Sequence, residues 1–318
     1  MMASSVDIII VNWNAGPLLR ECLKSIADAS QPDLVPRTVV VDNASTDKSL
    51  QSLDDVQLPH TIVRNERNRG FAAACNQGAK DSTANYLLFL NPDTRLSTGA
   101  LAGPVAFMDR SEHGHIGILG IQLVDGNGRV LPTCARFPTP TRFFYAMLGL
   151  DRFLPRVFPP HFMVEWDHRD SREVDQVMGA FFLVRRSLFE ALGGFDERFF
   201  VYFEEVDLSV RARAVGWRTF YLSDFQAYHR GGGATERIRP MRLFYLLRSR
   251  ILYGYKHFKR WTATLLTLGT LFVEPISRLL LALLRRSPAQ LLDTVKGYAL
   301  LWRGLPGALV VPQRPDDA

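Results

Sequence analysis

Three groups of residues in this 318-residue chain have types and spacings suited to chemistry. Glu204, Glu205 and Asp207 crowd into four positions directly after the aromatic run 199–203. Carboxylates that close repel one another, which raises the proton affinity of at least one, and an apolar wall pushes the same way. A carboxylate so tuned suits a general base. The same three residues would equally serve a helix start, where the dipole favours each by about 0.3–1 kcal/mol. Asn91-Pro92-Asp93 closes an apolar run at 86–90. Asp93 beside the Asn91 oxygen suits a hard divalent cation that also grips a diphosphate, although Asn-Pro-Asp is ordinary turn chemistry too. Asp42 ends the run 38–41 and can accept the imide N–H of uracil or thymine, or cap the next helix, where Ser45 and Asp47 would do as well. His229, followed by Arg230 and three glycines at 231–233, gains interest only from these companions.

The elements that must position these groups follow from hydrophobic periodicity. Val6–Val11 is an apolar run with one Asp, and Leu18, Leu19, Cys22, Leu23 and Ile26 then recur at helical spacing. Further strand-like runs lie at 38–41, 60–63 and 86–90, with a short helix expected after 43 and an Ala-rich helix at 70–80. Four buried strands interleaved with helices predict an α/β fold with a mostly parallel, doubly wound sheet. Ligands collect at the carboxyl ends of such strands, and Asn12 to Asn14, Asp42 and Asn43, Asn68 to Gly70, and Asp93 all fall there. Beyond residue 110 the pattern predicts a hairpin (116–131), a Pro- and aromatic-rich excursion at 132–173 able to close over a substrate, and a core strand at 174–184. Ser187 is expected to cap a short helix ending at Gly193-Gly194, and 204–215 to be helical up to Gly216. Another strand is expected at 219–222.

Composition narrows the class. Hydrophobic residues are 47% and charged residues 22%, which excludes disordered, collagenous and disulfide-knit chains. Cys22, Cys75 and Cys134 are far apart and lack a CxxC partner, so a zinc site is not expected and a reducing compartment fits. The run 8–11 is too short for a signal-peptide core. The net charge of +6 is unevenly spread: residues 230–318 hold 15 Lys/Arg against 5 Asp/Glu, leaving 23 against 27 in 1–229. Such a basic tail seeks anionic surfaces, and its aromatic and leucine content favours membrane over nucleic acid, for which no motif is present. Residues 262–273 and 276–284 are apolar around Glu274-Pro275, which predicts amphipathic helices lying on a membrane surface, with a true span or a soluble helical subdomain as alternatives.

Taken in order, VNWN (11–14), VVVDNASTD (39–47), NRGFAAACNQG (68–78), LNPDT (90–94), GAFFLVRRSLFEALGGFDERFF (179–200), YFEEVDLSVRARAVGW (202–217) and AYH (227–229) resemble an inverting nucleotide-sugar glycosyltransferase of family 2 with the GT-A fold. The resemblance implies a catalytic domain over 1–230 and a basic, apolar helical region over 231–318. It implies that Asn12, Asn14, Asp42, Asn43, Gly70, Asn76 and Asn91 bind the nucleotide sugar. Asp93 and His229 would hold Mg²⁺ or Mn²⁺, Glu205 would be the catalytic base, and Glu204 and Asp207 would orient it or the acceptor. Two departures matter: Asn91 stands where the family's DxD motif begins with Asp, and Glu205 replaces the usual Asp. A neutral Asn weakens charge compensation of a metal, so strict metal dependence is in question. The NPD variant resembles the rhamnosyltransferase-like branch, implying a dTDP-rhamnose donor and a glycan or polyprenyl-linked acceptor at the cytoplasmic face of the cell membrane. A UDP-sugar hexosyltransferase and a non-catalytic, membrane-tethered nucleotide-binding scaffold are the competing readings. A nucleotidyltransferase or nicotinamide enzyme would show a Gly-rich phosphate loop after the first strand, and 12–16 offers none.

Overall fold

The computed structural model describes residues 4–29, 33–51, 53, 56–231 and 238–308. In chain order the elements are β1 (Val6–Asn12), α1 (Leu18–Ala29), β2 (Arg37–Asp42), β3 (Thr61–Arg64), α2 (Phe71–Ala79), β4 (Tyr86–Leu90), β5 (Thr94–Leu96), α3 (Ala102–Met108), β6 (Ile116–Val124) and β7 (Cys134–Ala135). Then come α4 (Pro140–Met147), α5 (Leu150–Phe153), β8 (Arg172–Val174), β9 (Gln176–Val177), β10 (Phe181–Arg185), α6 (Arg186–Ala191), α7 (Glu204–Ala214) and β11 (Arg218–His229). Four helices finish the described chain: α8 (Arg239–His257), α9 (Arg260–Leu268), α10 (Glu274–Leu284) and α11 (Pro288–Ala308). The chain forms two units, one of Met1–Phe137, Phe162–Glu197 and Glu204–Ala234, the other of Pro138–His161, Arg198–Phe203 and Thr235–Ala318.

The first unit is built on a nine-stranded sheet ordered β3-β2-β1-β4-β10-β6-β11-β5, with β8 also paired to β11. The expected parallel part is β3-β2-β1-β4. Beyond it the direction alternates: β10 runs antiparallel to β4 and β6, and β11 is parallel to β6 but antiparallel to β5 and β8. Alternate residues of β1 feed two cores, with Val6, Ile8 and Ile10 on one face and Ile9 and Val11 on the other. That is how an unbroken apolar run becomes a strand covered on both sides. Helix α1 buries Leu19, Cys22, Leu23 and Ile26, as their spacing requires. All three cysteines are free and buried.

Several expectations need correction. β3 is not buried: Thr61 and Arg64 are exposed, because the strand sits at the sheet's edge. The helix expected after 43 is absent among the described residues there. Side chains of Asn14, Asp42 and Asp47 accept the backbone N–H groups of residues 45, 46, 47 and 49, holding the segment in turns. The strand expected over 174–184 is three short ones, since β9 leaves the main sheet to pair with β7. Ser187 lies inside α6, whose N-cap is Arg185 with no side-chain cap. The expected hairpin after β6 is present but short: Val124 bridges Val130, with Asp125 N donating to Arg129 O at 2.9 Å and Leu131 N to Leu123 O at 2.8 Å. The excursion 132–173 is divided, residues 138–161 grouping with the C-terminal helices rather than with the sheet. Gly232 and Gly233 lie outside the described residues.

In the second unit, Thr139 caps α4 by accepting from Arg142 N at 3.2 Å, with Pro140 opening the helix. Phe143 of α4 packs edge-on against Tyr253 and Phe258. Leu247, Ile251, Leu271, Tyr298 and Leu301 form the core. Glu274-Pro275 does not interrupt the helix here: α9 and α10 run through a π-helical turn at Gly269–Val273 as one 25-residue helix, long and apolar enough to cross a membrane. The wider turn absorbs the amide that Pro275 lacks. Glu274 is buried between Arg250 and Arg278, the latter donating Nε at 2.8 Å.

Candidate active site

At the carboxyl ends of β1 and β2, Asn12 and Asp42 are register partners and both are buried. Asn12 Nδ2 donates to Asp42 Oδ1 at 2.7 Å and lies 3.0 and 2.8 Å from the hydroxyls of Ser45 and Ser49. Its Oδ1 is buried without a partner among the described residues, an acceptor available to a bound N–H or O–H. Asp42 Oδ2 accepts from Ser45 N at 3.3 Å, so this carboxylate also holds its own loop. Asn14 adopts a left-handed φ of 52° and accepts from Thr46 N at 2.8 Å and Asp47 N at 3.2 Å. Asn43 donates to Gly70 O at 3.0 Å and accepts from Asn65 Nδ2 and Arg69 N, both at 3.1 Å. It thereby fixes the loop that delivers Gly70, whose φ of 87° and ψ of 166° are essentially reserved for glycine. Asn76, by contrast, bonds to Phe195 O and Glu197 Oε1 and accepts from Phe195 N. Its amide is a brace between α2 and the segment after α6.

The metal candidates meet. Asp93 lies in the turn between β4 and β5, and His229 ends β11 opposite Thr94 of β5. Asp93 Oδ1 stands 3.4 Å from His229 Nε2, with both side chains largely buried. Arg230 N also donates to Asp93 O at 3.2 Å, locking the turn to the strand end. Asn91 uses its backbone, N to Ala180 O at 3.0 Å and O from Thr94 Oγ1 at 2.7 Å, while its side chain is half-buried. No group of three His, Cys, Asp or Glu able to hold a metal occurs among the described residues. One carboxylate and one imidazole instead fit a cation that completes its shell with substrate phosphate oxygens and water.

Helix α7 opens with the three acidic residues. They do not share one environment. Asp207 is fully buried and receives Arg211 Nε at 2.8 Å, while Arg211 also donates to Leu192 O at 2.6 Å and Gly194 O at 2.8 Å. Glu204 and Glu205 each retain a buried Oε2 with no hydrogen-bond partner among the described residues. Burial first, then the carboxylates of Glu205 and Asp207, push the Glu204 carboxyl well above its ordinary range. Burial likewise raises Glu205, against the opposing pull of the N–H groups at the helix start. The two residues before α7, Tyr202 and Phe203, both have left-handed backbones, with φ of 68° and 72°. For bulky residues that is costly and is found where function fixes a direction.

These groups share one edge of the sheet. Ile10 pairs with both Val40 and Leu90, which aligns the ends of β1, β2 and β4. Asn91 N bonds to Ala180 O, and the neighbouring Gly179 lies against the Glu205 side chain, 3.9 Å from where a Cβ would stand. The sequence reading did not single out Gly179, Ser49 or Arg211. Gly179 could have been suspected from its place between two apolar stretches, whereas Ser49 and Arg211 carry no distinguishing local signal.

Comparison with known proteins bears on the family and the fold. The model of the family described as "Glycosyl transferase family 2" matches residues 7–193. N-acetylglucosaminyl-diphospho-decaprenol L-rhamnosyltransferase of Mycobacterium tuberculosis is 28% identical over 250 residues, 74% of this chain and 79% of that one. Rhamnosyltransferase WbbL of Escherichia coli K12 is 29% identical over 147 residues, 46% of this chain and 52% of its own. Among solved structures, mannosyltransferase PcManGT from Pyrobaculum calidifontis in complex with GDP-Man and Mn²⁺ superposes with a TM-score of 0.55 at 17% identity, covering 96% of this chain and 87% of that one. TarS 1–349 of S. aureus in complex with UDP-GlcNAc gives 0.52 at 18%, covering 98% and 95%. The fold is that of these GT-A proteins.

Proposed function

This chain belongs to glycosyl transferase family 2, and from that premise we propose that it is an inverting rhamnosyltransferase. Its donor is dTDP-L-rhamnose and its acceptor a hydroxyl of a glycan or polyprenyl-linked sugar in cell-envelope polysaccharide assembly. It works as a peripheral protein on the cytoplasmic face of the membrane. The donor and the lipid-linked acceptor are supported by the likeness to the decaprenol-linked L-rhamnosyltransferase. The observation that carries the chemistry is the pairing of Asp93 with His229 at the sheet edge that also presents Glu205, whose buried Oε2 has no partner among the described residues.

In this reading the nucleobase and ribose lie by Asn12, Asn14 and Asp42, with the free Asn12 Oδ1 as a further acceptor. Asn43 holds the Gly70 loop for close backbone approach. Asp93 and His229 would hold Mg²⁺ or Mn²⁺ against the diphosphate, and Asn91 adds a neutral neighbour. The cation supplies charge stabilisation for the departing nucleoside diphosphate. Glu205 takes the proton of the acceptor hydroxyl as that oxygen bonds to the anomeric carbon, and the bond to the diphosphate oxygen breaks on the opposite face. A single displacement inverts the centre. Burial and the neighbouring Glu205 carboxylate raise the proton affinity of Glu204, and a protonated Glu204 would place no like charge beside the base.

Thermal-shift titration with dTDP, UDP and GDP, each with and without Mn²⁺, tests the donor. Stabilisation largest for dTDP is expected, and a UDP preference would move the reading to a UDP-hexosyltransferase. Glu205→Gln should bind the preferred nucleotide as wild type does and lose transfer and donor hydrolysis by at least about 100-fold. Wild-type turnover in that variant would remove Glu205 from the mechanism. A wild-type chain that binds nucleotide but never hydrolyses or transfers the sugar would instead be a scaffold.

A further inference from the structure

The 25-residue helix of the second unit turns chemically opposite faces inward and outward. Inward lie Ala263, Leu266, Thr270 and Glu274, all buried, with Arg250 donating to Thr270 Oγ1 at 2.9 Å and ion-pairing with Glu274. Outward lie Trp261, Leu265, Leu268, Phe272, Ile276 and Leu280, spaced by three or four residues and each 46% to 65% exposed. That is a continuous apolar stripe along about 30 Å of helix. Trp302 of α11 extends it sideways, its ring 5.4 Å from that of Phe272. At its α10 end a cavity of about 240 Å³ opens between Leu280, Leu284, Met147 and Phe153, with Arg152, Glu274 and Arg278 also in its wall. Exposed cations close both ends: Lys259 and Arg260 at one, Arg285 and Arg286 at the other.

We propose that this stripe seats the protein in the plane of an anionic bilayer, with the helix parallel to the surface and its basic ends on lipid headgroups. A spanning orientation would require the inner face to leave its unit and carry Glu274 into hydrocarbon without Arg250, or else draw the Arg-rich α8 in with it, and both are strongly unfavourable. A second copy is a poor occupant for the same stripe. Whether two such helices met parallel or antiparallel, the cationic pairs at their ends would face cationic pairs. An anionic bilayer satisfies both features, since apolar side chains enter the acyl boundary while each nearby cation raises affinity by about fivefold.

This rests on the peripheral placement proposed above and assigns it a face. Co-sedimentation of the full chain with phosphatidylcholine vesicles containing phosphatidylglycerol should exceed that with phosphatidylcholine alone. The triple variant Leu268→Glu, Phe272→Glu, Ile276→Glu should partition on the order of 100-fold less, with nucleotide binding unchanged. Wild type that never sediments refutes both the placement and the face, whereas a triple variant that sediments like wild type refutes the face alone. Because the three native thiols are buried, an environment-sensitive dye can be attached selectively to Leu268→Cys or Ile276→Cys. Its emission should shift blue on vesicles, while the same dye on the exposed Glu112→Cys should not; equal response at 112, or none at 268 and 276, overturns the assignment. Extraction at alkaline pH should release the chain, and retention would replace the in-plane seat with a span. A wild-type dimer that becomes monomeric in the triple variant without vesicles would assign the stripe to a second copy instead.

Discussion

Replacing the Asp207–Arg211 pair separates a structural carboxylate from a catalytic one. Asp207 is fully buried, whereas the Arg211 side chain is 21% exposed and keeps two backbone acceptors, Leu192 O and Gly194 O, besides the carboxylate. Stranding one member of a buried pair costs about 3–5 kcal/mol. Arg211→Ala leaves the fully desolvated carboxylate without its guanidinium and takes a charge-assisted bond from each of two carbonyls, so it should sit at the top of that range. Asp207→Ala leaves a guanidinium that still has two acceptors and some water, and should cost about 2–3 kcal/mol. The double variant should be less destabilised than the sum of the two, since neither charge is then left behind. Urea unfolding gives the stabilities, and sugar transfer measured well below each variant's unfolding midpoint gives the activity. The expected pattern is a large loss of stability with turnover within about tenfold of wild type. Asp207→Ala that unfolds like wild type yet has lost transfer would refute this account and return Asp207 to the catalytic group.

Glu204→Gln should be more stable than wild type at neutral pH. A carboxyl whose folded proton affinity is raised contributes stability below the unfolded value near 4.5 that is lost as pH rises through the folded value, so the variant's advantage should grow with pH above about 4.5; a pH-independent difference in urea midpoint would contradict it. His168 is buried, accepts Cys134 N on Nε2 at 3.3 Å and contacts Trp166 O through Nδ1 at 2.8 Å, and burial lowers its proton affinity. Stability linked to it is therefore present above about 6.5 and lost as pH falls through the folded value. The stability difference between wild type and His168→Phe should narrow between pH 7.5 and 5.5, a comparison that cancels the opposite trend of Glu204, and a constant gap would show that His168 does not titrate there. Gly70→Ala should cost about 1–3 kcal/mol in unfolding free energy and raise the donor KM, because its backbone conformation excludes a side chain; an unchanged KM would detach the loop from the donor.

The legible part of the fold was the part whose information is local. Ile8 to Val11, Val39 to Val41 and Leu87 to Leu90 are apolar runs that terminate in polar residues, and runs of that kind give both the strands and the edge on which ligands gather. What could not be read is set by pairing across long stretches of chain. β3 carries Ile62 and Val63 as a buried strand would, yet it forms the edge of the sheet among the described residues, where Thr61 and Arg64 are exposed. Residues 174–184 look like one strand, yet Gln176 and Val177 pair with Cys134 and Ala135, some forty residues upstream. The recruitment of 138–161 by the C-terminal helices depends on aromatic contacts such as Phe143 with Tyr253, which no window of sequence reveals. In the candidate site, residue types drew attention to the carboxylates, and the family resemblance added His229 to them. Whether Asn43 or Asn76 faces a ligand or a backbone depended on hydrogen bonds to Gly70 and Phe195, which only the folded chain exhibits.

The position of β11 bears on how the enzyme is made. Last in its unit to leave the ribosome, this strand lies inside the sheet, between β6 and β5, and carries His229 to Asp93. A nascent chain ending before residue 218 has no partner for β5 or for one edge of β6, and lacks the imidazole. Such a partial product holds most of the residues proposed to face the nucleotide but lacks the His229 partner of Asp93. On the proposed reading, synthesis supplies Asn12, Asp42 and Glu205 before His229 can reach Asp93, so the cation pair is the last part of the site to be completed.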